Sequence, residues 1–137
     1  MKTFTKYSLL VIFLNIVILN CSNVIITPPL VNNKVQEIQV VKGDKIGISL
    51  KSNPSTGYMW SLLNNSNSSL LVFDSQETKV DNEKVFGSPV KQIFYFNSNE
   101  TGNSIISFEL KMYGTEIIKT IIFNISVVEK ETLEFLN

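Results

Sequence analysis

The sequence predicts an all-β domain, an immunoglobulin-like β-sandwich of about seven antiparallel strands. Three observations carry this. From residue 36 onward apolar residues recur with a period of two rather than 3.6, the pattern of strands with one buried face. The runs are rich in β-branched and aromatic residues, which fit a pleated, half-buried surface. Clusters of Gly, Asn, Ser and Pro separate them at short, regular intervals, as in sandwiches. A closed barrel shares these features and is the runner-up architecture.

The chain of 137 residues implies one domain. Met1 to Ser8 holds Lys2 and Lys6 and no acid, and Leu9 to Leu19 is apolar apart from Asn15. A basic start followed by such a run is the layout of a signal peptide, expected here over 1–20. The run is short of the roughly 20 residues a spanning helix needs. Ile18-Leu19-Asn20-Cys21 resembles a bacterial lipobox, in which cleavage exposes the cysteine for diacylation. Cys21 is therefore the candidate lipidation site and membrane anchor, with simple secretion as the alternative. In both cases the mature chain is extracytoplasmic, and losing Lys2 and Lys6 leaves 10 Lys against 12 acids, a net charge of −2. Residues 21–35, with Pro28-Pro29 and Asn32-Asn33, read as a tether that would span about 20 Å as a coil.

The domain proper is expected over 36–130, with strands near 37–41, 45–51, 58–63, 70–79, 91–96, 104–112 and 117–128, and a tail over 131–137. Ile46, Ile48 and Leu50 alternate with Gly47, Ser49 and Lys51. Tyr58, Trp60 and Leu62 share one face, and Trp60, the sole tryptophan, reads as a core residue between the sheets. Ile106, Phe108, Leu110 and Met112 alternate with Ser107, Glu109, Lys111 and Tyr113. Ile121, Phe123, Ile125 and Val127 alternate with Ile122, Asn124 and Ser126. Turns fall at Lys42-Gly43-Asp44, Asn64 to Ser69, Asn97 to Asn103, and Tyr113-Gly114-Thr115. About 115 mature residues bury an adequate core without disulfides.

Composition removes several functions. The chain has no His and one Cys, and all 12 of its basic residues are Lys, balanced by 12 acids. Ser-His-Asp and Cys-His catalysis, His-based zinc sites and an internal disulfide are excluded. A neutral chain without a basic cluster is not a nucleic-acid binder. Asp74, Glu77 and Asp81 read as solvated strand and loop acids, so no enzyme activity, cofactor or metal is expected.

If consecutive strands alternate in direction, the loops at 52–57, 80–90 and 113–116 share one end of the sandwich. The first, Ser52-Asn53-Pro54-Ser55-Thr56-Gly57-Tyr58, has Pro to fix φ and Gly to permit an unusual backbone angle, while Asn53 and Ser55 can bond their own backbone. Such a loop is pre-organised, which lowers the entropy lost on binding, and its small Thr-Gly tip fits a narrow cleft. The second holds Phe86-Gly87-Ser88-Pro89-Val90 and the third presents Met112, Tyr113 and Gly114. Loops on a rigid sandwich are where binding commonly sits. In a seven-strand alternation the first strand starts at this same end, which would bring the loops near a membrane anchored through Cys21.

Asn53-Pro54-Ser55-Thr56-Gly57-Tyr58-Met59-Trp60 resembles the Asn-Pro-[Ser/Thr]-Thr-Gly-[Tyr/Phe]-x-Trp motif of the chagasin-type inhibitors of cysteine peptidases. The resemblance extends through strand spacing over about 36–130. It implies an immunoglobulin-like fold and reversible inhibition of papain-like peptidases, the organism's own or a host's, by a monomer. Three loops would wedge into the active-site cleft, with Thr56 and Gly57 nearest the target's nucleophile, Asn53 and Pro54 holding the loop shape, Ser55 and Tyr58 in the same peptidase-binding loop, and Gly87, Ser88, Pro89, Met112, Tyr113 and Gly114 clamping its flanks. The family's second motif is of Gly-x-Gly-Gly type, and Gly87-Ser88-Pro89-Val90 keeps its first glycine. Its third is Arg-Pro-Trp, where this chain has Met112-Tyr113-Gly114. Bulk and charge at the tip, as in Gly57→Glu, are expected to clash with the cleft while the fold survives. The alternative is an extracytoplasmic adhesion or scaffold module with no peptidase target, to which the altered second and third loops point.

Overall fold

The computed structural model describes residues 23–26, 35–80 and 87–130. Its strands are β1 (Asn23–Ile26), β2 (Gln36–Val41), β3 (Lys45–Ser52), β4 (Tyr58–Asn65), β5 (Leu71–Val80), β6 (Val90–Ser98), β7 (Gly102–Met112) and β8 (Glu116–Val128). They form two four-stranded sheets, ordered β1-β3-β6-β5 and β2-β8-β7-β4. The two sheets pack face to face, so the immunoglobulin-like sandwich holds, and β2 to β8 lie within one or two residues of the seven expected strands.

The alternation in sequence is the cause of this packing. On β8, Ile121, Phe123, Ile125 and Val127 are buried while Ile122 faces outward. On β7 the inward set is Ile106 and Phe108, and on β3 it includes Ile46, Ile48 and Leu50. The Phe108 ring sits at the centre, with ring centroids 4.7 Å from Phe94, 6.5 Å from Phe96 and 5.9 Å from Phe123. Tilted and edge-on pairs at these distances add to the burial of large apolar side chains.

Two features depart from the antiparallel seven-strand expectation. Four residues of the expected tether, Asn23–Ile26, form β1 and add in parallel to the edge of β3, Asn23 opposite Lys45 and Ile26 opposite Ile48. β2 likewise pairs in parallel with β8. The main-chain bonds of an exposed edge attract β1, whose Val24 and Ile25 stay exposed. Because β1 runs alongside β3, Asn23 lies at the end of the sandwich where β3 begins. That is the end away from the 52–57 loop, so the described chain starts at the pole opposite to the one that strand alternation alone suggested. The 1–20 leader, Cys21 and the 131–137 tail lie outside the described residues.

Of the acids set aside above, Asp74 and Glu77 are surface groups, and Asp81 lies outside the described residues. On the outer face of the first sheet the Lys45 ammonium bonds Asp74 at 2.8 Å and lies 5.1 Å from the Tyr95 ring centroid. Its bond, with those of Ser75 and Asn97, holds the Asp74 carboxyl below the usual carboxylate range. Glu77 is lowered chiefly by the hydroxyl bond it accepts from Tyr95, then by Lys79. Gly47 lies beneath the Tyr95 ring, where a Cβ would come within 2.9 Å of the ring.

Candidate functional site

The first loop is built by hydrogen bonds rather than apolar burial. Pro54–Thr56 make a single 3₁₀ turn that buries none of its residues. The Asn53 carbonyl organises it, accepting from the Thr56 N–H at 3.1 Å, the Thr56 hydroxyl at 2.9 Å and the Tyr58 N–H at 3.1 Å. The Ser55 hydroxyl donates to the Asn53 side-chain oxygen at 2.5 Å. Pro54 presets the turn's first dihedral. Gly57 ends it at φ +82°, with its N–H bonded to the Pro54 carbonyl at 2.9 Å. Such φ values disfavour residues with a Cβ, so the order Asn-Pro-x-x-Gly follows from the turn itself.

The third loop is a tight turn from Met112 to Thr115, closed by the Thr115 N–H on the Met112 carbonyl at 3.2 Å. Tyr113 and Gly114 have φ of +51° and +75°. Successive positive φ angles mark the primed hairpin turns, whose twist suits antiparallel strands. Tyr113 is the one described residue other than glycine with positive φ. Two contacts offset its strain: its N–H donates to the Gly57 carbonyl at 2.9 Å, and its ring lies against the Gly57 Cα. A Cβ on Gly57 would come within 2.6 Å of the ring. Gly57 is thus required for its φ and for the space that Tyr113 fills. This changes the reading of Gly57→Glu, because added bulk meets Tyr113 of the same chain before it meets any target.

The second loop joins the same group. Gly87, at φ +79°, lies beside Ser55, whose oxygen a Cβ there would meet at 3.6 Å. Pro89 is exposed, and Val90, buried, opens β6 opposite Ser52. The twelve sequence-predicted positions therefore gather at one pole, as the alternation of strands required. Tyr58 and Met112 differ from the rest: they face each other as a cross-strand pair, half-buried, and form stems rather than tips. Phe86 lies outside the described residues.

Among the described loop residues 53–57, 87–89 and 113–115, none is charged. Tyr113, 75% exposed, is the largest exposed apolar residue of these described tips. On the adjoining strands Lys111 and Glu109 pair with each other, and Glu109 also accepts from Ser61; Glu116 stands opposite Met112, and Lys51 opposite Lys91. Among the described residues no group of His, Cys, Asp and Glu is arranged to hold a metal. The described tips offer shape and hydrogen-bonding backbone.

Sequence reading missed one residue beneath the loops. Gln92, fully buried, accepts from the Trp60 N–H at 2.8 Å and donates to the Trp60 carbonyl at 3.2 Å. The Trp60 indole N–H donates to the Lys51 carbonyl at 2.9 Å. The available signal was a polar residue in the inward phase of Val90, Gln92, Phe94 and Phe96.

Comparison with known proteins agrees with this geometry. The family model described as chagasin family peptidase inhibitor I42 matches residues 39–127. The fold is similar to the cysteine protease inhibitor EhICP2 from Entamoeba histolytica, with a TM-score of 0.62 and 18% identity over 77% of this chain and 96% of that one. It is similar to Amebosin, with a TM-score of 0.58 and 22% identity over 78% of this chain and 99% of that one. It is also similar to PbICP-C, solved in complex with falcipain-2, with a TM-score of 0.57 and 14% identity over 77% and 99%. At these identities the likeness speaks for the fold. No curated protein sequence matches the chain.

Proposed function

The chain belongs to the chagasin family of peptidase inhibitors, and from that premise we propose that it blocks papain-like cysteine peptidases reversibly by seating its three-loop pole in the active-site cleft. The observation that carries this is the junction of Gly57 and Tyr113, which fastens a stiff, small first loop to the third. Thr56 and Gly57 form the tip nearest the target's nucleophile. Tyr113 and Gly114 flank it on one side, Gly87, Ser88 and Pro89 on the other. The complex of the similarly folded PbICP-C with falcipain-2 supports this partner class.

The mechanism is occlusion. The pre-formed turn at the pole loses little entropy on docking. Residues 54–56 are wound in a 3₁₀ turn, so they do not offer the target an extended peptide to cleave. The Tyr113 ring supplies the kind of aromatic anchor that dominates interface energy. A complex of ordinary inhibitor size would bury about 1,600 Å² in total. One chain carries all three loops, so the inhibitor works as a monomer. Occlusion makes inhibition competitive: KM for a peptide substrate rises and kcat is unchanged. A fall in kcat at constant KM would contradict it.

The chain acts outside the cytoplasm, with 1–20 as leader and Cys21 as the acylated anchor or, in the alternative, a free N-terminal region after secretion. The basic start, the apolar run and Ile18-Leu19-Asn20-Cys21 support this. The course of β1 supports an anchored form in which the loops face away from the membrane, because Asn23 pairs with Lys45 at the far pole. Mass spectrometry of the mature N-terminus separates a diacylated Cys21 from an unmodified end.

A further inference from the structure

We infer that Gln92 is the positioning residue of the loop pole, its carboxamide holding the stems of the first and second loops in register across the two sheets. The consequence for inhibition rests on the reading above; the structural claim does not. Gln92 points into the core from β6, a central strand of the first sheet, with no exposed surface. An amide placed there is unfavourable unless both of its ends are bonded. Both are bonded, and to one residue: the oxygen to the Trp60 N–H and the nitrogen to the Trp60 carbonyl. Trp60 lies on β4, an edge strand of the second sheet. Gln92 therefore supplies to that edge the pair of bonds a neighbouring strand would supply.

The indole bond to the Lys51 carbonyl adds a third link, again to the first sheet. Face-to-face sheets are otherwise held by apolar packing, which is non-directional. Three directional bonds around Trp60 fix the offset between the sheets at this point. The point matters because of what leaves it. Lys51 precedes the first loop by one residue beyond Ser52, Trp60 follows Gly57 closely, and Gln92 follows Pro89 and Val90 of the second loop. Trp60 is also the cross-strand partner of Leu110, shortly before the third loop. A slip of the sheets here would move Gly57 relative to Gly87 and Tyr113. At the far pole Ser98 plays a comparable part, its hydroxyl lying 2.8 Å from the carbonyls of both Val41 and Asp44.

Gln92→Leu and Ser98→Ala in the full chain separate local positioning from general weakening. Each is compared with the unaltered protein by its inhibition constant for papain and by amide resonances, well below both melting temperatures. Gln92→Leu is expected to weaken inhibition by about tenfold or more, as loss of an anchor's support does. It also shifts the amides of Gly57 and Tyr113 and leaves those of Thr101 and Gly102 in place. Ser98→Ala is expected to do the reverse and to inhibit normally. Normal inhibition and unmoved Gly57 and Tyr113 amides in Gln92→Leu overturn the inference, as does equal loss in Ser98→Ala. If Gln92→Leu does not fold, Gln92→Met, which keeps the side-chain length and loses the amide, must show the same pattern. If the unaltered protein leaves papain active, the inhibitor reading fails, and the amide shifts alone decide the role of Gln92.

Discussion

Replacing Gly57 with alanine isolates the junction between the first and third loops. The new methyl group is opposed twice. It sits on a residue at φ +82°, where L-residues are disfavoured by about 1–2 kcal/mol. It also stands 2.6 Å from the Tyr113 ring, well inside contact distance. The ring is 75% exposed, so it swings outward rather than forcing the core to yield. The stability loss is then about 1–2 kcal/mol, a fall in Tm of about 3–8 °C for a domain of this size. Affinity falls further, because the displaced ring is the pole's aromatic anchor: about 2 kcal/mol, or roughly thirtyfold, is expected. Gly43→Ala is the control. Its φ of +91° carries the same strain, but a Cβ there meets nothing within 4 Å and it lies at the far pole. It should lower Tm by a similar amount and leave inhibition unchanged. Thermal melts and papain inhibition constants for both variants test this. Tight inhibition by Gly57→Ala, or equal weakening by Gly43→Ala, would refute the reasoning.

Other outcomes follow from the same geometry. Tyr113→Ala keeps the N–H bond to the Gly57 carbonyl but loses the ring contact, so it should cost no more than about 1 kcal/mol of stability, yet weaken inhibition about thirtyfold or more; parallel melts and titrations separate the two effects. Asn53→Ala leaves the carbonyl bonds but removes the acceptor of the Ser55 hydroxyl, and a several-fold faster dissociation from papain, read by surface plasmon resonance, is expected. Phe108→Ala empties the centre of the aromatic cluster and should cost about 3–5 kcal/mol in urea unfolding. Asp74 and Glu77 have lowered pKa values. Their contribution is therefore present above the unfolded carboxylate range near pH 4 and is lost as pH falls through the folded values. The melting temperature of the double variant Asp74→Asn, Glu77→Gln should fall less than that of the unaltered protein as the pH is lowered below about 4.

The strands β2 to β8 were legible because each buries one face, and a period of two leaves that fact in the sequence. Ile121, Phe123, Ile125 and Val127 show it most plainly. β1 left no such trace: Asn23-Val24-Ile25-Ile26 has no alternation, and its place is set by backbone bonds to the open edge of β3. The convergence of the loops followed from strand parity alone. What parity did not contain was which side chains meet. That Tyr113 lies on Gly57, and that Gln92 grips Trp60, are contacts between residues distant in sequence, and nothing in local spacing encodes them. Tyr113 was singled out as an aromatic contact, but its positive φ depends on the carbonyl of Gly57 across the pole.

The central claim is that this pole occludes a cysteine-peptidase cleft without being consumed. Titration of active-site-counted papain with the protein, followed by mass spectrometry of the recovered inhibitor, tests it most directly. The account predicts a linear loss of activity to an equivalence point of one inhibitor per enzyme, with every peptide bond between Asn53 and Tyr58 intact. Full papain activity at micromolar inhibitor, repeated with several papain-like enzymes, or turnover of the first loop during the titration, would contradict it.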